Sequence, residues 1–145
     1  MQSWYRKAGA LLVGVLLLAA GGARAADAVL RNGDNYRLSA EVLPGSGPGN
    51  GRLALTLVPK GTWKITLEAP LKVGLEPPAG LELDSKALKK DDLKVKTKER
   101  ARFELGFRAA PSSRHKLKLQ FDFVLCDDKV CQKKKFEVEH LLVAP

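Results

Sequence analysis

The sequence predicts an all-β chain folded as an antiparallel sandwich. Three observations carry this. Apolar residues recur at every second position through most of the chain from Leu53 onward, turn-forming clusters of Gly, Pro and Ser separate the runs, and a single stretch, Asp84 to Leu93, has a helical pattern. Period two puts successive side chains on opposite faces of a half-buried strand. Seven or eight such strands in about 120 residues, joined by tight turns, fit an immunoglobulin-like sandwich, with a barrel as the alternative.

The first element precedes the fold. Arg6 and Lys7 form a short basic region, Ala8 to Ala20 an apolar run broken only by Gly9 and Gly14, and Ala23-Arg24-Ala25 ends it with small residues where a signal peptidase reads. This is the pattern of a secretory signal peptide, residues 1–25, cleaved after Ala25. The apolar run is shorter than the roughly 20 residues that span a bilayer, and no cysteine stands at the cleavage site to take a lipid. Residues 26–145 are then expected to be one exported domain without stable membrane insertion, large enough for its own core.

Charge narrows the partners. The chain carries 25 Lys and Arg against 16 Asp and Glu, a net charge of +9. Three of the basic residues (Arg6, Lys7, Arg24) and none of the acidic ones fall in the leader, so the mature balance is 22 against 16, or +6. The signs are interspersed, as in KALKKDDLKVKTKERAR, which reads as a solvated face. Aromatic residues do not interleave with the basic ones, so no nucleic-acid role is expected.

The strand series begins with Leu53, Leu55 and Leu57, and continues through Trp63, Ile65 and Leu67, then Leu71, Val73 and Leu75. Leu81 with Leu83, Leu93 with Val95, and Phe103, Leu105 and Phe107 follow. The longest run is Leu117, Leu119, Phe121, Phe123 and Leu125, and Phe136 with Val138 closes the series. Pro44 to Gly51, Pro59-Lys60-Gly61, Pro77 to Gly80 and Ala110 to Ser113 punctuate it as loops and turns. Asp84 to Leu93 is expected to form one or two helical turns from a cap at Asp84 or Ser85.

The only two cysteines, Cys126 and Cys131, stand in FVLCDDKVCQKKKFEV. In an exported chain they are free to form a disulfide, and an even count leaves one intramolecular pairing. If Cys126 faces Cys131 across a hairpin, Phe121 faces Phe136 and Leu119 faces Val138 on the inward side. Asp122 then meets Lys135 and Lys118 meets Glu139 on the other. A slip of one residue would set apolar positions against charged ones, so this register is strongly specified. It places both sulfurs at the hairpin tip on the polar face, beside Asp127, Asp128 and Lys129.

Three chemistries suit such a pair: a structural clip, a metal clip or a redox site. Closing a loop of roughly six residues stabilises by only about 2 kcal/mol, against nearly 5 for a loop of about 100. A disulfide in so tight a hairpin is also expected to be strained and readily reduced. Exposure and low structural value favour redox work. The metal reading is the weakest: the spacing is not CxxC, the only imidazoles are His115 and His140, and the register packs His140 inward against Leu117. Neither a metal nor a cofactor is expected. No nucleophile elbow, glycine-rich phosphate loop or His–carboxylate cluster points to hydrolysis or phosphotransfer.

The stretch FDFVLCDDKVCQKKKFEVE resembles the cysteine hairpin of the N-terminal periplasmic domain of the thiol:disulfide interchange protein DsbD family. There, an aromatic-rich strand leads into a Cys, a short tip, a second Cys and an F-x-V strand. PKGTWKITLEAPLKVGLEPPAGLEL is similar to that family's glycine–aromatic turn and the segment after it. The resemblance spans residues 35–143 and is specific around Phe121 to Val138. Gln132 and Lys133 depart from it, as the family often has prolines there, and so does Lys64, where the family commonly has a histidine.

The resemblance implies an immunoglobulin-like domain in the periplasm with a redox-active disulfide at Cys126 and Cys131, the catalytic pair of a thiol–disulfide oxidoreductase component. It would accept electrons from a thioredoxin-like domain or membrane electron carrier and pass them to periplasmic thiol/disulfide proteins. Either Cys126 or Cys131 would attack a partner's disulfide as the thiolate, and the other would resolve the mixed disulfide. Lys133, Lys134 and Lys135 on the side of Cys131 favour the thiolate there, and Asp127 and Asp128 disfavour it at Cys126. With no thioredoxin domain or membrane segment of its own, the chain is expected to act as a stand-alone module. The alternative is a non-catalytic binding or scaffold sandwich with a structural hairpin disulfide.

Overall fold

A computed structural model describes residues 27–145; the expected signal peptide lies outside the described residues. The strands are β1 (Ala28–Asn32), β2 (Tyr36–Pro44), β3 (Asn50–Pro59), β4 (Lys64–Ile65), β5 (Lys72–Glu76), β6 (Glu82–Leu83), β7 (Ala87–Leu88), β8 (Leu93–Lys96), β9 (Ala101–Arg108), β10 (Arg114–Cys126) and β11 (Cys131–Val143). They form two antiparallel sheets. One runs β1-β2-β3-β9-β6, with β8 also on β9; the other runs β11-β10-β5-β7, with β4 also on β10. The molecule is an antiparallel β-sandwich, as the alternation predicts.

The alternating residues do what period two requires. Leu53, Leu55 and Leu57 of β3 and Phe103, Leu105 and Phe107 of β9 are buried on one sheet. Leu117, Leu119, Phe121, Phe123 and Leu125 of β10 meet them from the other, within one continuous core. Each such side chain contributes about 1.5–3 kcal/mol relative to full exposure, which makes β10 the strand that holds the second sheet in place.

Two expectations are corrected. The strand series starts earlier than Leu53: β1 and β2 precede it, and Tyr36, Leu38 and Ala40 of β2 are buried in the core. The expected helix at Asp84 to Leu93 is absent; only a 3-10 turn, Lys90–Asp92, forms there. Ser85 instead closes a local turn, its hydroxyl donating to Ala87 O at 2.7 Å. Ala87 and Leu88 then pair with Gly74 and Val73 of β5, and Leu88 is buried. A helix of one or two turns is marginal in water, whereas the strand buries the segment's one central apolar side chain.

The long hairpin of β10 and β11, each 13 residues, has the register read from the sequence: Cys126 opposite Cys131, Phe121 opposite Phe136, Asp122 opposite Lys135, Lys118 opposite Glu139. The ion pair from Asp122 runs diagonally, to Lys133 at 3.9 Å. His140 lies opposite Leu117 and is buried, with Nε2 unpaired.

Candidate functional site at the hairpin tip

Odd-numbered residues of β10 face the core, so Asp122, Val124 and Cys126 point outward, and across the register so do Cys131, Lys133 and Lys135. The two sulfurs are bonded at the tip, with Cα atoms 4.0 Å apart. Their surroundings differ. Cys131 is exposed, whereas Cys126 is half-buried because a second strand covers its other side. That strand is β4, which pairs Lys64 with Cys126 and Ile65 with Leu125.

The β4 segment is held from both directions. Ile65 N donates to Lys98 O at 2.8 Å, Thr66 N donates to Val124 O at 3.0 Å, and the Ile65 side chain is buried. Lys64 Nζ reaches Glu99 at 3.5 Å. Thr66 shares the outward face with Lys64, and its Oγ1 lies 2.8 Å from Cys126 Sγ. A disulfide sulfur carries no proton, so in this state the hydroxyl donates.

The turn at the tip is ordered by its own side chain. Asp127 N donates to Val130 O at 3.0 Å, while Asp127 Oδ1 accepts from Lys129 N and Val130 N, both at 2.8 Å. Those backbone donors hold the Asp127 carboxyl below the usual carboxylate range, because they bond the charged form. Its charge is engaged by the turn, and Asp128 is exposed.

Under the tip lies an aromatic cluster. Tyr36 meets Phe123 edge-on at 5.3 Å and stacks on Phe136 at 5.9 Å. Burial pushes the Tyr36 hydroxyl pKa up, partly opposed by Arg31. Arg31 caps the Phe136 ring at 4.4 Å, and Lys134 Nζ lies 5.8 Å from the Tyr36 ring. Of the three lysines expected beside Cys131, only Lys133 and Lys135 share its face; Lys134 turns to the other side. Asn35 is buried and donates to Gln132 Oε1 at 2.9 Å, tying the β1–β2 turn of one sheet to the residue after Cys131 in the other. A polar depression of about 540 Å³ lies here, between Arg31, Tyr36, Trp63, Gln132 and Lys134. A larger one, about 630 Å³ and bordered by Val73, Leu88, Phe121 and Phe136, has neither cysteine in its wall.

The structure thus brings together the two cysteines singled out by the sequence and adds Thr66, Asn35 and Tyr36, which sequence reasoning did not assign to the site. Alternation in TWKITL puts Thr66 on the outward face; only the pairing of β4 with β10 puts it against Cys126. Among the described residues there is no group of three or more His, Cys, Asp and Glu side chains placed to hold a metal ion, and no helix long and apolar enough to cross a membrane.

Fold and site together define a β-sandwich with one cross-strand disulfide at an accessible hairpin tip. No family model and no curated protein matches this chain. Among solved structures it is similar to the GAE domain of GGA2p from Saccharomyces cerevisiae, at 12% identity over 83% of this chain and 98% of that one, with a TM-score of 0.47. It is also similar to the yeast GGA1 GAE domain-P21, at 13% identity over 79% of this chain and 98% of that one, with a TM-score of 0.46. Neither likeness bears on function.

Proposed function

We propose that this chain is an exported thiol–disulfide exchange module of the kind its cysteine hairpin resembles, the N-terminal periplasmic domain of the DsbD family. One observation carries the reading: the disulfide joins an exposed Cys131 to a half-buried Cys126 at a hairpin tip, so one sulfur is open to an incoming thiolate and the other is held in the protein. Exchange proceeds by attack of a thiolate on a disulfide sulfur, and access selects the sulfur attacked.

The electrons balance in two steps. A thiolate of a dithiol partner, a thioredoxin-like domain or membrane electron carrier, attacks Cys131 Sγ. A bond forms between the partner's sulfur and Cys131, the Cys126–Cys131 bond breaks, and its electron pair leaves on Cys126 Sγ. The partner's second thiolate then attacks its own sulfur in the mixed disulfide and releases Cys131 as a thiolate. The partner is oxidised to a disulfide and this chain holds two thiols. In the reverse sense Cys131 attacks the disulfide of a periplasmic substrate protein, and Cys126 resolves the intermediate.

The alternative, a non-catalytic binding or scaffold module, is favoured by a different feature: β11 is an edge strand with Leu141 and Val143 exposed. The reduction potential separates the two. Equilibration in glutathione or dithiothreitol buffers, followed by thiol alkylation, is expected to place it between about −180 and −280 mV with the fold unchanged on reduction. A Cys126→Ala variant, which cannot resolve, is expected to accumulate a mixed disulfide through Cys131. A potential well below about −300 mV would leave the disulfide structural and the exchange reading refuted.

A further inference from the structure

We propose that the Thr66 hydroxyl is a catalytic hydrogen-bond donor to Cys126, stabilising the thiolate that leaves when the Cys126–Cys131 bond is broken. This deepens the exchange reading and rests on it for its biological meaning; the contact itself does not. Thr66 Oγ1 is 2.8 Å from Cys126 Sγ and, with no proton on that sulfur, is the donor. Thr66 is fixed on both sides by backbone bonds, Ile65 N to Lys98 O at 2.8 Å and its own N to Val124 O at 3.0 Å. Its β-branched side chain has few χ1 alternatives. The donor is therefore aimed before any reaction begins.

The value of such a donor changes along the reaction. A neutral disulfide sulfur is a weak acceptor, whereas a hydrogen bond to an ionised group is roughly twice as strong as one to a neutral group. The bond strengthens as the electron pair moves onto Cys126 Sγ, which is the requirement for accelerating a step rather than merely binding its starting state. A better-stabilised leaving thiolate also leaves faster.

The other charged groups facing Cys126 do not supply this. Lys64, its partner on β4, is bound to Glu99 at 3.5 Å. Asp127, next in the chain, is negative, and its Oδ1 is occupied by the N–H groups of Lys129 and Val130. Across the hairpin, Cys131 is the sulfur under attack, and Lys133 on the same face is engaged with Asp122 at 3.9 Å. Among the described residues, Thr66 is the side chain hydrogen-bonded to the sulfur of Cys126.

The test isolates Cys126. In a Cys131→Ser chain it is the sole thiol, and the ultraviolet absorbance of its thiolate is followed against pH with Thr66, Thr66→Val and Thr66→Ser. Valine keeps the shape and removes the donor; serine restores the donor. The Val variant is expected to titrate about one pH unit higher, with about tenfold less thiolate at pH 7, and the Ser variant to return to the Thr66 midpoint. In the two-cysteine chain, reduction by dithiothreitol is expected to be several-fold slower with Val and unchanged with Ser. Should Thr66→Val fail to fold, Thr66→Ala takes its place in both assays. Coincident titrations for Thr, Ser and the donor-free variant would overturn the proposal, whatever the reduction potential. A shifted titration together with a disulfide that stays oxidised in glutathione buffers would sustain the Thr66 contact and refute the exchange function.

Discussion

Reducing the disulfide should weaken the fold by a small, calculable amount and leave the sandwich intact. The two cysteines are separated by 5 in sequence, so the loop they close has roughly six residues, and the chain-entropy relation gives about 2 kcal/mol of stabilisation at room temperature. The structure gives little reason for more. The β10–β11 register runs from Arg114 opposite Val143 to the tip, β10 is also held by β5 and β4, and the tip turn is closed by Asp127. None of these bonds needs the sulfurs.

The assay is urea unfolding of the oxidised chain, the chain in dithiothreitol, and a Cys126→Ser/Cys131→Ser chain. The urea slope of small proteins is about 1–3 kcal/mol per molar, so a loss of about 2 kcal/mol should lower the midpoint by about 0.7–2 M. The melting temperature should drop by about 8 °C. Both reduced forms should still unfold in one cooperative transition with the same slope. A loss above about 4 kcal/mol, or of the cooperative transition altogether, would refute the reasoning and make the hairpin a staple.

Two further outcomes follow from burial. Burial lowers the His140 pKa, so the unfolded chain binds more protons below about pH 6.5 and stability falls as pH drops through that range toward the folded pKa. A His140→Leu variant should flatten the pH dependence of the urea midpoint below about pH 6.5, and an unchanged slope there would contradict the assignment. Phe123 has 0% exposure and an edge-on contact with Tyr36 at 5.3 Å. Phe123→Ala should cost about 3–5 kcal/mol, measured by the same unfolding curves; a loss below about 1 kcal/mol would mean that the aromatic cluster is not part of the cooperative core.

Much of the architecture was legible because period two converts directly into a face. Leu117 through Leu125 had to point one way, and the matching of Phe121 with Phe136 and of Asp122 with Lys135 then left a single register. The same logic was available for Tyr36, Leu38, Ala40 and Val42 against Arg37, Ser39 and Glu41, so β2 carried a readable signal that the series starting at Leu53 omitted. The helix expected from Asp84 failed for a different reason. A polar stretch with one central leucine has weak local preference, and the edge of a sheet offered Leu88 a better burial than a short helix would.

What the sequence by itself determined is local: which residues share a face, where the chain turns, and that the two cysteines must meet once the hairpin is in register. These follow from the pleat and from one strand folding back on its neighbour. What only the tertiary structure decided is the difference between the sulfurs. Cys126 is half-buried and Cys131 exposed because β4, about 60 residues upstream of Cys126, comes to lie along one side of β10 and sets Thr66 against one sulfur alone. Alternation says which way Thr66 points. It carries no information about which strand lies opposite, because that depends on how two sheets share one core.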